Sequence, residues 1–392
     1  MVDSHKIIYL DNAATSWPKP PPMLAAMTDF NLNIGANPGR SGHRLSVQAA
    51  RVVYAARQKL ADLFNAPDAL RIVFSANITA AINLALMGLL KPGDHVVTSS
   101  MEHNSVMRPL RALEVRGVEV SVVACSPQGE LEPQDIQRAL KPNSRLIALN
   151  HASNVIGTLL PVREVGKIAQ CHGALLLVDC AQTAGAVPID LQADHIDLLA
   201  FTGHKALYGP MGTGGLVLGE RVDIDQLDPL VRGGTGSHSE HEQQPHFAPD
   251  KYESGTANAI GLTGLGASLA WLLDQTVEHI REHEKKLTQE LLKALNQLEG
   301  LQVFGTQDPE RQTAVVSFIV EGMDNGQLGR LLDERYGILC RVGLHCAPAA
   351  HRTIGTFPQG GVRFGLGYFN TSEQVSTAAA ALQELISERK LA

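Results

Sequence analysis

The sequence predicts an α/β fold: a large domain on a mostly parallel, doubly wound sheet, followed by a small α+β C-terminal domain. Three observations carry this. Short apolar runs alternate with helix-like segments between residues 71 and 201, helix formers dominate 259–298, and further short apolar runs precede a terminal helix. Strands alternating with helices favour a parallel sheet with both faces covered. At 392 residues, 44% hydrophobic and 19% charged, the chain can bury a large core or two. The expected division is 1–20 as an N-terminal segment packing with the small domain, 21–258 as the large domain, and 259–392 as linker helix and small domain.

Residues 7–10 form a short apolar run, and the Asp-Asn-Ala-Ala-Thr after it reads as a strand-to-turn signal. Four prolines between Pro18 and Pro22 argue for an extended connection rather than a helix. Asn37 to Ser41 is turn-rich, with His43 just beyond. Residues 46–64 read as a helix, because Val47, Ala50, Tyr54 and Leu60 fall near a 3.6-residue period. Strands are expected at 71–74, 95–98, 118–123, 146–149, 175–178 and 198–201, and helices among them at 79–90, 133–140 and 162–172.

After Leu218 the composition shifts, and 233–250 reads as a long surface loop holding His238, His241 and His246. Their spacing fits no common metal template, so no metal is expected. Strands at 301–304, 314–320, 338–342 and 361–366 suggest the small domain. Thr371 and Gln374 form a capping-box signal before a helix with Val375, Ala378, Ala379, Leu382 and Ile386 on one side.

Composition also limits function. A net charge of −7 is modest and argues against a nucleic-acid backbone as main partner. No apolar run approaches the roughly 20 residues of a membrane span, and no signal-peptide pattern opens the chain. Five cysteines without a CxxC pair read as reduced thiols. A cytoplasmic protein is expected.

In a doubly wound sheet, ligands sit outside the carboxyl ends of the strands. The residues there are Ser75 to Thr79, Glu102 to Asn104, Asn150 to Asn154, Asp179 to Gln182, and Thr202 to Lys205. Backbone N–H groups and a hydroxyl at Thr79, where a helix opens, make a phosphate seat. Lys205, placed where a strand leaves the core, can lose hydration and become a better amine nucleophile. Taken singly each has an ordinary reading: a loop histidine, a helix cap, a turn asparagine, a surface lysine. Together they supply a phosphate seat, a stacking ring, a carboxylate and a lysine, which is what pyridoxal 5'-phosphate requires.

The stretches Tyr9 to Thr15, Glu102-His103-Asn104, His151 to Asn154, Val178 to Gln182 and Gly203-His204-Lys205 resemble the class V aminotransferase superfamily. Within it they resemble the cysteine desulfurases, including the selenocysteine lyase-like branch of the second group. The resemblance implies the fold type I of pyridoxal-phosphate-dependent transferases, with 21–258 as the cofactor-binding domain. It implies that Lys205 holds the cofactor aldehyde, Asp179 pairs with the pyridine nitrogen and His103 stacks on the ring. Gln182 and Asn154 would contact the ring-hydroxyl side, and Thr79, Thr202 and His204 the phosphate. Relatives often carry two adjacent threonines where this chain has Ile78-Thr79, so one expected phosphate contact lacks its hydroxyl. A homodimer is also implied, in which Ser254 to Thr256 reaches the neighbouring subunit's phosphate.

The segment Cys340-Arg341-Val-Gly-Leu-His345-Cys346-Ala-Pro348 bears on the reaction. Glycine and proline near Cys346 suggest a loop that can carry a thiol to the cofactor, and His345 and Arg341 could favour the thiolate. The motif resembles the loop that carries the catalytic cysteine in the second desulfurase group. Arg363 can grip a substrate carboxylate with two parallel hydrogen bonds. The resemblance gives it that role, with Arg341 supporting and His43 near the substrate. The expected reaction converts L-cysteine to L-alanine, with sulfur passing to Cys346 as a persulfide and on to an acceptor protein. Selenocysteine lysis, cystine C–S lysis and transamination remain open on the same cofactor. A catalytically silent scaffold and a dinucleotide-binding module rank below them.

Overall fold

The computed structural model of the chain describes residues 7–39, 41–238 and 240–391. Strand β1 (Ile8–Tyr9) is followed by α1 (Pro21–Asn33) and α2 (Arg44–Phe64). An alternating stretch comes next: β2 (Ile72–Ser75), α3 (Ile78–Leu89), β3 (His95–Ser99), α4 (Asn104–Glu114), β4 (Glu119–Val123), α5 (Pro133–Ala139) and β5 (Ser144–Asn150). It continues through α6 (Val162–His172), β6 (Leu175–Asp179), β7 (Leu198–Thr202) and β8 (Gly214–Leu218). Helices α7 (Ala259–Gln275) and α8 (Val277–Leu295) lead to β9 (Leu301–Phe304), β10 (Val315–Val320), α9 (Asn325–Tyr336) and β11 (Ile338–Leu339). Strand β12 (Arg341–Gly343), α10 (Pro348–Thr353), β13 (Gly361–Gly365) and α11 (Ser372–Leu391) complete the chain.

The large sheet has the order β2-β8-β7-β6-β5-β3-β4. Strand β8 runs antiparallel to both of its neighbours, and the other four pairings are parallel. Two reversals bring β2 back to the direction of β7, so the carboxyl ends of β2, β3, β5, β6 and β7 share one edge. Side chains alternate across the sheet. Leu176, Val178, Leu199 and Phe201 pack with Leu60, Val165 and Leu265 on one face. Leu175, Leu177, Leu198 and Ala200 pack with Ile82, Leu86 and Leu110 on the other. Burial on both faces explains why these strands read as continuous apolar runs.

The second sheet, β12-β13-β10-β9, is antiparallel throughout. Strand β1 pairs in parallel with β11, and Leu10 enters the core that Phe318, Phe364 and Leu382 form around this sheet. The capping box is present: Gln374 N–H donates to Thr371 Oγ1 at 3.3 Å, and Thr371 N–H to Gln374 Oε1 at 3.4 Å.

Four local readings change. The proline run gives way to α1 at Pro21, because proline at the first helical positions lacks only an N–H that has no partner there anyway. Helix α2 buries Ala49, Val53, Ala56, Leu60 and Phe64, while Val47 and Tyr54 are exposed. Strand β8 is absent from the sequence reading because Gly214-Gly215 resembles a loop. A Cβ on Gly215 would lie 2.6 Å from the Phe201 ring, so glycine admits the strand beside β7. The single strand expected at 338–342 is two, because β11 pairs with β1 and β12 with β13.

Candidate active site

A cavity of about 190 Å³ opens at the shared strand edge. Thr79, His103, Asn154, Asp179, Gln182, Thr202, His204 and Lys205 line it together with Asn150 and Ser105. Thr256 is not among them. It is exposed and lines a separate cavity of about 440 Å³ with Phe74, Tyr252 and Asn258.

Lys205 follows β7 in a turn held from outside by the N-terminal segment. Ser16 Oγ donates to the Lys205 carbonyl at 2.7 Å, and Ser16 N–H and Lys19 Nζ donate to the His204 carbonyl at 3.0 and 2.7 Å. Burial pushes the Lys205 amine down to about 8, Asp179 opposes this, and Arg363 and Arg341 add to it. The buried Asp179 carboxylate accepts the Ala181 N–H at 2.9 Å. Its pKa is raised by burial, against the pull of that hydrogen bond and of Lys205.

His103 caps α4. Its Nδ1 accepts the Ser105 N–H at 3.0 Å, so the ring proton sits on Nε2. Ser105 Oγ lies 2.9 Å from the same Nδ1 and 2.8 Å from Thr79 Oγ1, joining the stacking candidate to the phosphate seat. Burial, then Lys205 and nearby arginines, lowers His103 to about 4, which keeps it neutral near pH 7. Helix α3 opens at Ile78, with Asn77 Oδ1 accepting the Ala80 N–H, so the amides of Ile78 and Thr79 head the helix beside the cavity. Those amides offer an anion donors that a second threonine hydroxyl would only supplement.

Arg363 is buried at 2% exposure. Its Nη2 pairs with Asp11 Oδ1 at 2.8 Å, its Nη1 donates to the Asn154 carbonyl at 2.9 Å, and its Nε has no partner. Arg341 lies opposite it in register across β12 and β13. Cys346 is exposed, and its carbonyl accepts the Asn104 N–H at 2.9 Å. It lines a cavity of about 450 Å³ with Thr79, His103, Ser105 and Arg108. Thr79, His103 and Ser105 belong to both cavities, so the cavity lined by Cys346 and the one lined by Lys205 adjoin at these residues.

His345 does not act on the thiol as expected. Its Nδ1 lies 3.2 Å from His351 Nε2 and its Nε2 3.4 Å from the Arg341 carbonyl. Burial pushes its pKa far down, so it is a neutral brace and supplies no positive charge to a thiolate. His43 lines neither cavity: it caps α2, with Nδ1 accepting the Ser46 N–H. Burial raises Cys125 to about 11, Cys340 to about 12, and Cys180 well above its ordinary value. The exposed His238, Glu240 and His241 bring ligand-type atoms within 4.8 Å of one another, away from both cavities.

Asp11, Asn104 and Ser105 complete the site. Asp11 and Asn104 stand inside quoted motifs, and Ser105 follows the second of them. The cavity fits pyridoxal phosphate: Asn154 Oδ1, Asn150 Oδ1 and His204 Nδ1 are buried without a hydrogen-bond partner, in reach of a polar ligand beside Lys205.

A lysine, a buried carboxylate and helix-terminal amides thus meet at the carboxyl edge of a doubly wound sheet, where α/β enzymes seat their ligands. The family model described as aminotransferase class-V matches residues 8–377. A protein of Methanothermobacter thermautotrophicus described as a probable cysteine desulfurase is 37% identical over 383 residues, covering 96% of this chain and 94% of its own. The structure of a cysteine desulfurase from Thermococcus onnurineus superposes with a TM-score of 0.92 at 32% identity, covering 98% of this chain and 96% of that one. The cysteine desulfurase CsdA of Escherichia coli gives 0.87 at 30%, covering 98% and 95%. The chain belongs to the class-V aminotransferase family, in its cysteine desulfurase group.

Proposed function

We propose that the protein is a pyridoxal-phosphate-dependent cysteine desulfurase that converts L-cysteine to L-alanine and takes the sulfur onto Cys346. The observation that carries this is the meeting of the Lys205 and Cys346 cavities at His103. When bound, pyridoxal phosphate supplies an electron sink for charge developing at the substrate Cα. Lys205, with its amine lowered to about 8, would hold the aldehyde and, as the free amine, could take the Cα proton. Asp179, a buried carboxylate lining the same cavity, would pair with the protonated ring nitrogen. Arg363, oriented by Asp11 and the Asn154 carbonyl, binds the substrate carboxylate.

The Cys346 thiolate attacks the substrate sulfur. An S–S bond forms, the substrate C–S bond breaks, and its electron pair stays on carbon, which is then protonated. L-cysteine plus the Cys346 thiol thus gives L-alanine plus a Cys346 persulfide, with no external oxidant. His103, neutral and carrying its proton on Nε2, lines both cavities and can donate a hydrogen bond there.

The reading extends to a homodimer in which Thr256 reaches the neighbouring phosphate site, to a sulfur-acceptor protein, and to selenocysteine as a competing substrate. A cytoplasmic setting suits five free thiols. Cys346→Ser tests the core of the proposal. The variant should keep the cofactor absorbance and show no sulfur added to the 346 peptide by mass. Alanine formation from cysteine at the parent rate by that variant would overturn the assigned thiol role.

A further inference from the structure

The cavity of about 450 Å³ at the exposed Cys346 has one charged side chain in its wall, that of Arg108. Arg108 stands on α4, four residues after Asn104, whose N–H holds the Cys346 carbonyl at 2.9 Å. Residues four apart share a helix face, and helical side chains tilt toward the N-terminus. Arg108 therefore leans toward the end of α4 on which the Cys346 loop rests. Its charge is among those that lower His103 to about 4, so at neutral pH the imidazole adds no charge of its own. Thr79, Asn83, Met87 and the remaining lining residues are uncharged, and no carboxylate is among them.

Arg108 is exposed, and its guanidinium has no hydrogen-bond or ion-pair partner among the described residues, whereas Arg111, one turn on, pairs with Glu114. An unpaired guanidinium offers both donors and charge to an incoming anion. The second half of the proposed reaction brings one. To discharge a Cys346 persulfide, an acceptor thiolate attacks the outer sulfur. A new S–S bond forms, the bond to the Cys346 sulfur breaks, and its electron pair leaves on Cys346. The attacker thus arrives as an anion beside Thr79, which also lines the seat proposed for the cofactor phosphate. A phosphate there repels it, and Arg108 is the cation in this wall that offsets the repulsion.

We infer that Arg108 makes the Cys346 cavity select an acceptor thiol that carries a carboxylate beside it. The inference rests on the desulfurase reading and adds to it the chemical class of the molecule that takes the sulfur away.

Alkylation of the resting thiol in the cofactor-loaded, full-length protein tests the charge without any turnover. The ratio of iodoacetate to iodoacetamide rates, read by mass on the 346 peptide, should fall about threefold in Arg108→Ala and further in Arg108→Glu. Arg108→Lys should keep the parent ratio, and the differences should shrink at high salt. For the acceptor, Cys346 is loaded with sulfur from L-cysteine and the persulfide counted by mass. It is then discharged with 3-mercaptopropanoate or 3-mercaptopropanamide, and in a second arm with a cysteine peptide flanked by Glu or by Gln. The ratio of acidic to amide rates should fall about threefold in Arg108→Ala and further in Arg108→Glu, intrinsic thiol reactivity cancelling between proteins. A preference lost in either arm supports the inference, the small thiols pointing to a free acceptor and the peptides to a protein one. Discharge ratios equal in the parent and in R108E overturn it and leave the desulfurase reading in place, whatever the alkylation shows. A parent that gains no sulfur from L-cysteine overturns both.

Discussion

Lys205 shows how much of this chemistry is set by a single residue's surroundings. Burial lowers its amine, while two carboxylates hold it up, Asp179 more than Asp11. Only the neutral amine attacks an aldehyde, so cofactor attachment to the free protein should rise with pH, with its midpoint near 8. Asp179→Asn removes the larger opposing charge and should move that midpoint down. A stopped-flow absorbance series across pH checks both, and a midpoint that stays put in the variant would separate Asp179 from the lysine. Lys205→Ala should cost roughly 10² to 10⁴ in turnover, the range for loss of a positioned acid–base group. Lys205, Asp179 and His103 were legible because each lies at or shortly beyond the carboxyl end of a strand of a doubly wound sheet. The Asp11–Arg363 pair was not, since its members lie 352 positions apart and meet only when the N-terminal segment docks beside β13. Nor was the neutrality of His345, which depends on a partner histidine and on burial.

At the scale of elements, alternation of apolar runs located the parallel strands because both sheet faces are buried. It failed where glycine or a change of partner interrupts the run, as at β8 and at the β11–β12 break. Helix α8 was readable as a helix, but the burial of Glu284 within it, at 4% exposure, was not. Glu284 lines a small cavity of about 30 Å³, room for one water, together with Lys205, Tyr208 and Ser16. Burial raises its pKa to about 8, with Arg281 and Tyr208 pulling the other way. The folded protein therefore holds this proton more tightly than the unfolded chain, whose carboxyl titrates near 4.5. The stability this group contributes is full below pH 4.5 and is lost as pH rises through about 8. Glu284→Gln removes the titration. Its melting temperature relative to the parent should therefore climb between pH 5 and pH 8, and a flat difference would show that Glu284 does not titrate there.

The whole molecule places its chemistry at a junction. Thr79, His103, Asp179 and Lys205 lie at the carboxyl edge of the large sheet, whereas Arg341 and Arg363 lie on strands of the small one, Cys346 follows β12, and Asp11 belongs to the N-terminal segment. The proposed homodimer adds a second junction. Thr256 is exposed and apart from its own Lys205 cavity, which suits a residue that serves the neighbouring subunit. If it does, a Thr256→Ala homodimer should bind pyridoxal phosphate roughly tenfold more weakly, the loss of one hydrogen bond to a charged group. A Lys205→Ala homodimer should form no lysine-linked chromophore at all. Mixed and allowed to exchange subunits, the two should regain tight loading in the hybrid. One hybrid site pairs Lys205 of the threonine variant with Thr256 of the lysine variant, and that site is intact. Titrating the mixture by absorbance, with hybrids counted by native mass spectrometry, should give one tight site per hybrid. Hybrids that form without any tight site would place Thr256 outside the neighbouring phosphate seat.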